Sequence, residues 1–216
     1  AWGIAHRFYD PMEPASLVAA IGERTRLVWV EAPGSVTMEF PDLAALVRIC
    51  RERGVVSALD NTWGAGLAFA PFAIAGDDDD GCAVDISVQA LTKYPSGGAD
   101  VLMGAVTTRD DALHQRVKAA HMRIGFGVGG NDAELVLRSL PSLPLRYEAQ
   151  ARAGVALAEW WAKRPEVALV LHPALPGSPG HEHWQRTCSA AAGLFSIVFD
   201  ERYSRDQVDA FVDALK

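Results

Sequence analysis

Cysteine is scarce in this 216-residue chain: Cys50, Cys82 and Cys188 are odd in number, widely spaced and in no metal-type pattern. A disulfide scaffold and a zinc module are both poor fits, and three thiols suit a reducing cytoplasm, with Cys50 expected as a small buried helix residue. No apolar run approaches the length of a membrane span, and Ala1-Trp2-Gly3 does not open a signal peptide. Basic charge is also short. Lys and Arg number 20 against 27 Asp and Glu, a formal net charge of −7 with no basic cluster, which argues against nucleic acid and anionic membrane as partners. There is no internal repeat, and the only biased tract is Asp77-Asp78-Asp79-Asp80, which lacks the alternating ligands and distal Glu of a calcium loop and reads as a solvated loop. The absence of an initiator methionine fits a fragment.

What is present is apolar. Half the residues are hydrophobic, enough at this length for a full core in a globular α/β protein of one or two domains. Pro14–Ile21 reads as a helix, and residues 25–31 as a strand whose weak alternation predicts burial on both sides. Phe40, Leu43, Leu46, Val47 and Cys50 recur at helical spacing up to Gly54, and Val55–Leu59 is a second strand, giving a right-handed β-α-β unit. Further strands are expected over 84–89 and 100–108, and a helix over Asp110–Met122 with Leu113, Val117 and Ala120 on one side. Gly125-Phe126-Gly127-Val128-Gly129-Gly130 lacks the preceding strand that a dinucleotide loop needs, so it reads as a loop before a helix opened by an Asn131–Glu134 capping box. The run through Arg138-Ser139-Leu140-Pro141 breaks that helix, and Pro144 opens a long one carrying Val155, Ala156 and Trp160. Strands over 167–171 and 194–199 follow, then a last helix capped by Ser204 and Gln207. His172, His181 and His183 with Glu182 are default loop or surface residues, not a metal set, since the spacing of two shares a face only on a strand.

Chemistry concentrates at two strand ends, the usual location of sites in an α/β sheet. Val84–Gln89 runs out into Ala90-Leu91-Thr92-Lys93-Tyr94 and then Pro95–Asp100. A lysine held among apolar residues is disfavoured in its charged form and becomes available as a nucleophile; the alternative is a lysine that simply snorkels to water at the strand end. Upstream, Val55–Leu59 ends in Asp60-Asn61-Thr62-Trp63. Asp60 suits a turn or helix cap, but a carboxylate and a lysine on separate strand ends are also what pyridoxal phosphate requires, the lysine forming the imine and the carboxylate keeping the pyridine nitrogen protonated.

Taken together, Glu31-Ala32-Pro33-Gly34-Ser35-Val36-Thr37-Met38-Glu39, Asp60-Asn61-Thr62-Trp63, and Thr92-Lys93-Tyr94 with Gly97, Gly98 and Asp100 resemble the Cys/Met-metabolism family of fold-type I pyridoxal-phosphate enzymes. Pro33-Gly34-Ser35, and His172–Ser178 followed by Gly180-His181-Glu182 and Trp184, point within it to the β-eliminating carbon–sulfur lyases; γ-eliminating or γ-replacing sister reactions and a catalytically silent partial domain are the competing readings. The resemblance implies a three-layer α/β/α fold with a mainly parallel sheet over 1–143, and a linking helix with part of a smaller α+β C-terminal domain over 144–216. It implies Lys93 as the catalytic residue and cofactor anchor, Asp60 on the pyridine nitrogen, Thr92 on the phosphate, Ser35 near the cofactor and substrate carboxylate, and Asn61 and Trp63 beside the cofactor. Ala90 and Gly98 stand where many relatives carry a serine and a histidine, which leaves one phosphate contact in question. It implies a sulfur-containing amino-acid substrate and a homotetramer. It also implies that the phosphate-cradling turn, the ring-stacking tyrosine and the carboxylate-binding arginine lie outside these 216 residues.

Overall fold

A computed structural model describes residues 3–74 and 82–215; the aspartate tract at 77–80 lies outside the described residues. The chain is α/β, with a mainly parallel sheet and helices. Strands β1 (Leu27–Glu31), β2 (Val56–Asp60) and β3 (Ile86–Ala90) are parallel neighbours in chain order, and β4 (Gly104–Thr108) closes the sheet antiparallel to β3. One helix precedes β1, α1 (Pro14–Ala20), and another, α2 (Leu43–Glu52), crosses between β1 and β2.

α2 shows how the sequence sets the core. The Asp42 carboxylate caps it by accepting from Ala45 N at 3.0 Å. Leu43, Leu46, Val47 and Cys50 then fall on one face and are each 1% exposed or less. Gly54 ends the turn at φ +61, a conformation that favours glycine. Burying each such leucine contributes about 1.5–3 kcal/mol before entropy is counted. They meet Val28, Val30 and Leu59 of the sheet, together with Leu17 of α1 and Phe40, whose ring packs edge-on against Phe69.

β1 differs from expectation. Val28 and Val30 are buried against Leu17 and the α2 stripe, but Leu27 and Trp29, on the opposite face, are 47% and 45% exposed because no described residues cover that face. β4 starts at Gly104, later than the predicted 100, because Thr92 engages the backbone of Met103 and holds that residue out of the ladder.

The remaining helices follow in order. α3 (Asp111–Ile124) is capped by Asp110, which accepts from Leu113 N at 2.6 Å, and stops at Gly125 with φ +79. α4 (Gly130–Ser139) has extended Gly129 as its N-cap with no side-chain bond, so the predicted Asn131–Glu134 box is not formed: the helix has already started by Asn131. The break at Leu140–Ser142 is a single 3₁₀ turn, and α5 (Leu143–Trp161) opens with Pro144 in its first turn. β5 (Val167–Leu171), α6 (His181–Thr187), β6 (Ser196–Phe199) and α7 (Arg205–Asp213) complete the chain, with β5 and β6 forming a separate antiparallel pair. Ser204 and Gln207 make the expected capping box on α7. No helix among the described residues is long and apolar enough to cross a membrane.

Candidate active site at the carboxyl edge of the sheet

Parallel pairing sets Glu31 opposite Asp60 and Asp60 opposite Val88, so β1, β2 and β3 end together and release their following loops at one edge. The Ser35 loop, the Asp60 turn and the Lys93 turn therefore leave the sheet at one edge.

In the first loop Ala32 and Pro33 are buried, and the chain folds back through Gly34 N to Glu39 O and Met38 N to Gly34 O, both 2.9 Å. Ser35 is exposed at the tip, its N–H donating to the Glu31 carboxylate at 3.1 Å. A Cβ at Gly34 would lie 2.8 Å from both the Glu39 carboxylate and the Thr37 hydroxyl, the movable ends of two side chains that would have to turn aside.

Asp60 is half-buried. Its Oδ1 accepts from Thr62 N at 2.9 Å, an Asx turn, while Oδ2 accepts no hydrogen bond among the described residues. Thr62 Oγ1 accepts in turn from Ala90 N at 2.9 Å, tying the Asp60 turn to the end of β3. Asn61 is fully buried against Gly64, and neither of its amide atoms has a partner, a costly state for a buried carboxamide. Trp63 belongs to the core, its indole N–H donating to Leu194 O at 3.5 Å and its carbonyl accepting from the Tyr147 hydroxyl at 3.2 Å.

Lys93 lies three residues beyond β3 in a turn closed by Lys93 N to Ala90 O at 3.2 Å and Ser96 N to Leu91 O at 2.9 Å. It is exposed, with no hydrogen bond or ion pair to its ammonium among the described residues. Of the two readings of this lysine, held among apolar residues or reaching water at the strand end, the described residues show the second: the apolar run lies back along β3, and the turn carries Lys93 clear of it. The Thr92 hydroxyl, expected free for a phosphate, is engaged by Met103, donating to its carbonyl at 3.4 Å and accepting from its N–H at 3.2 Å.

Three residues that the sequence did not single out hold this turn. Arg146 of α5 donates to Tyr94 O at 2.7 Å, Gly193 N donates to the Tyr94 hydroxyl at 3.0 Å, and Tyr147 packs edge-on against the Tyr94 ring at 5.0 Å. Burial raises the Tyr94 pKa, with the backbone N–H bonds from Gly193 and Leu194 opposing it. These contacts bridge 52 and 99 residues of sequence, so no local pattern signals them.

The model of the Cys/Met-metabolism, pyridoxal-phosphate-dependent enzymes matches residues 1–216. The chain belongs to that family. It is 36% identical to a cystathionine β-lyase of Bordetella avium over 210 residues, 96% of this chain and 50% of that protein. Against the cystathionine β-lyase of Escherichia coli K12 it is 34% identical over 213 residues, 98% of this chain and 52% of that protein. Among solved structures, a cystathionine γ-lyase from Micromonospora echinospora superposes with a TM-score of 0.82 at 32% identity, covering 89% of this chain and 49% of that one. The chain spans about half the length of the relatives it matches.

Burial governs two of the cysteines and one histidine away from this edge. Burial pushes the Cys50 thiol up to about 11 and the Cys188 thiol up to about 12, so neither is a ready thiolate near neutral pH. No group of metal-ligating side chains occurs among the described residues. His172, expected in a loop or at the surface, lies in the loop after β5 but is fully buried. Its Nδ1 accepts from Ala174 N at 3.1 Å and its Nε2 faces Ala192 O at 3.3 Å, which fixes the neutral ring with the proton on Nε2.

Burial lowers the His172 pKa. The unfolded chain therefore binds a proton that the folded chain refuses. The stabilisation is complete above the unfolded value of about 6.5 and is lost as pH falls from there towards the folded value. His172→Gln is expected to flatten the decline in stability on going from pH 7 to pH 5, measured by urea unfolding; an unchanged slope refutes this.

Proposed function

We propose that the chain is the central part of a pyridoxal-phosphate-dependent carbon–sulfur lyase acting by β-elimination on cystathionine, with homocysteine, pyruvate and ammonia as products. The observation that carries the reading is the common carboxyl edge of β1, β2 and β3, from which emerge Asp60, whose Oδ2 accepts no hydrogen bond among the described residues, and Lys93, whose amine is likewise unpaired among them. Likeness to cystathionine β-lyases over nearly the whole chain supports the reaction, and the matching γ-lyase structure keeps γ-elimination as its rival. In this reading residues 1–143 are part of the cofactor-binding domain and 144–216 the linking helix and part of a smaller domain, in a homotetramer.

The residues fit the cofactor at two points. Asp60 Oδ2 is available to accept from a pyridine N–H and so keep that nitrogen protonated, and Lys93 Nζ is accessible for an imine. At a third point the fit requires a change: a phosphate at Thr92 competes with Met103 for the same hydroxyl. When bound, pyridoxal phosphate supplies an electron sink for the carbanion formed at the substrate Cα. Lys93 Nζ would take the Cα proton and afterwards deliver a proton to the leaving sulfur, one amine serving as base and then acid. In this reading Ser35, exposed at the tip of the first loop, would meet the substrate carboxylate.

The test uses the full-length protein with pyridoxal phosphate and cystathionine, identifying the keto acid and mapping the borohydride-reduced peptide. Pyruvate and a label on Lys93 are expected. Release of 2-oxobutyrate would move the reaction to γ-elimination, and a label elsewhere, or none, would remove the lyase assignment.

A further inference from the structure

We infer that Arg146 is a positioning residue for Lys93: by clamping the Tyr94 carbonyl onto the α4–α5 junction, it fixes where the lysine-bearing turn presents its amine. The inference rests on the reading of Lys93 as the cofactor lysine. Arg146 Nη1 donates to Tyr94 O at 2.7 Å, the carbonyl that immediately follows the lysine residue. The rest of the guanidinium is immobilised from behind. Nε donates to Ser142 Oγ at 3.0 Å, and Nη2 donates to Ser139 Oγ at 2.8 Å and Ser139 O at 3.2 Å. A planar fork with all three nitrogens engaged holds its remaining acceptor in a fixed direction, which a lysine ammonium does not.

The turn is pressed onto this fork. Gly97, at φ +77, lies so near that a Cβ would sit 2.6 Å from Ser139 Oγ and 3.0 Å from Arg146 Cζ. Within the turn, Ser96 Oγ donates to Thr92 O at 2.9 Å and approaches Lys93 O at 3.3 Å, so a displacement at Tyr94 is passed to Lys93. From the opposite side, Gly193 N holds the Tyr94 hydroxyl. The Lys93 ammonium makes no hydrogen bond or ion pair among the described residues, so its position is set by the backbone contacts of its turn and by these neighbours. Misplacing a catalytic group by about 1 Å can cost roughly 100-fold in rate.

The test compares wild type, Arg146→Ala, Arg146→Lys, a Ser139→Ala/Ser142→Ala double variant and Ser204→Ala, all full length and loaded with pyridoxal phosphate. The readouts are the induced circular dichroism of the cofactor's visible band, the labelled peptide after borohydride, and kcat and KM. For Arg146→Ala we expect the dichroism to fall at least about twofold and kcat about 10- to 100-fold, with KM nearly unchanged. Arg146→Lys should restore only part of either. The double serine variant keeps Arg146 but frees its fork, so it should reduce both readouts even where Arg146→Ala fails to fold. Ser204→Ala weakens the distant α7 cap and should leave the dichroism unchanged. Unchanged dichroism and kcat in the arginine and double serine variants overturn the inference, as does an equal fall in Ser204→Ala. A wild-type label away from Lys93 overturns the proposed function itself, and this inference with it; a label on Lys93 with indifferent variants overturns the inference alone.

Discussion

Lys93→Ala in the full-length protein is expected to lower turnover of cystathionine by about 10⁴-fold, the upper end of what one acid–base group supplies, and to abolish the borohydride-stable label. The reading gives one amine three tasks, anchoring the cofactor, taking the Cα proton and protonating the sulfur, and no second lysine stands in the turn. Lys93→Arg should lose nearly as much, because a guanidinium does not deprotonate near neutral pH. Stability should hardly move. The side chain is exposed and makes no hydrogen bond or ion pair among the described residues, so the unfolding free energy of cofactor-free Lys93→Ala is expected within about 0.5 kcal/mol of cofactor-free wild type. Urea unfolding and a steady-state pyruvate assay on the same preparation check both halves. A variant that keeps more than about a tenth of wild-type turnover would remove Lys93 from the chemistry.

The largest expected loss of stability is at Gly180. This residue precedes α6 with φ +75, and a Cβ built on it would overlap the Phe40 carbonyl oxygen and lie 2.8 Å from the carbonyl carbon. The obstacle is backbone, so no rotamer change relieves it. It also lies beside the Phe40 N to Pro179 O bond of 3.0 Å that joins the second half of the chain to the entrance of α2. Left-handed strain and overpacking together put Gly180→Ala at roughly 4 kcal/mol, a large share of a typical total of about 5–15 kcal/mol. Gly177 is the control. Its φ is +91, yet nothing lies within 4 Å of its would-be Cβ, so Gly177→Ala should cost only the backbone strain, about 1–2 kcal/mol. Chemical denaturation of the pair separates the two contributions; equal losses would mean that the Phe40 contact is readily relieved.

What the sequence disclosed was local. The stripe of α2, its stop at Gly54, the Ser204–Gln207 box, the order of strands and the turns holding Asp60 and Lys93 all follow from patterns spanning a few residues. The cover of each strand does not, because Leu27 and Trp29 have the composition of buried residues and lie on the face of β1 that no described residues cover. The occupation of Thr92 by Met103, the burial of His172 and the hold of Arg146 and Gly193 on Tyr94 were likewise illegible, since each depends on chain returning from a distance. The sequence marked the residue types for chemistry; packing decided which of them are free to act.

The antiparallel β4 has a consequence of another kind. Ala90 pairs with Gly104, so the segment between them is a tether fastened at both ends to the same rim of the sheet. For such a tether, doubling the length costs only about 0.6 kcal/mol of closure entropy. Insertions within the exposed residues 98–100, ahead of buried Val101 and of Met103 with its bonds to Thr92, should therefore cost the folding equilibrium little while loosening the span that carries Lys93. Selection for a foldable protein and selection for a working one would accordingly read this stretch by different rules, the first tolerant of its length and the second counting its residues.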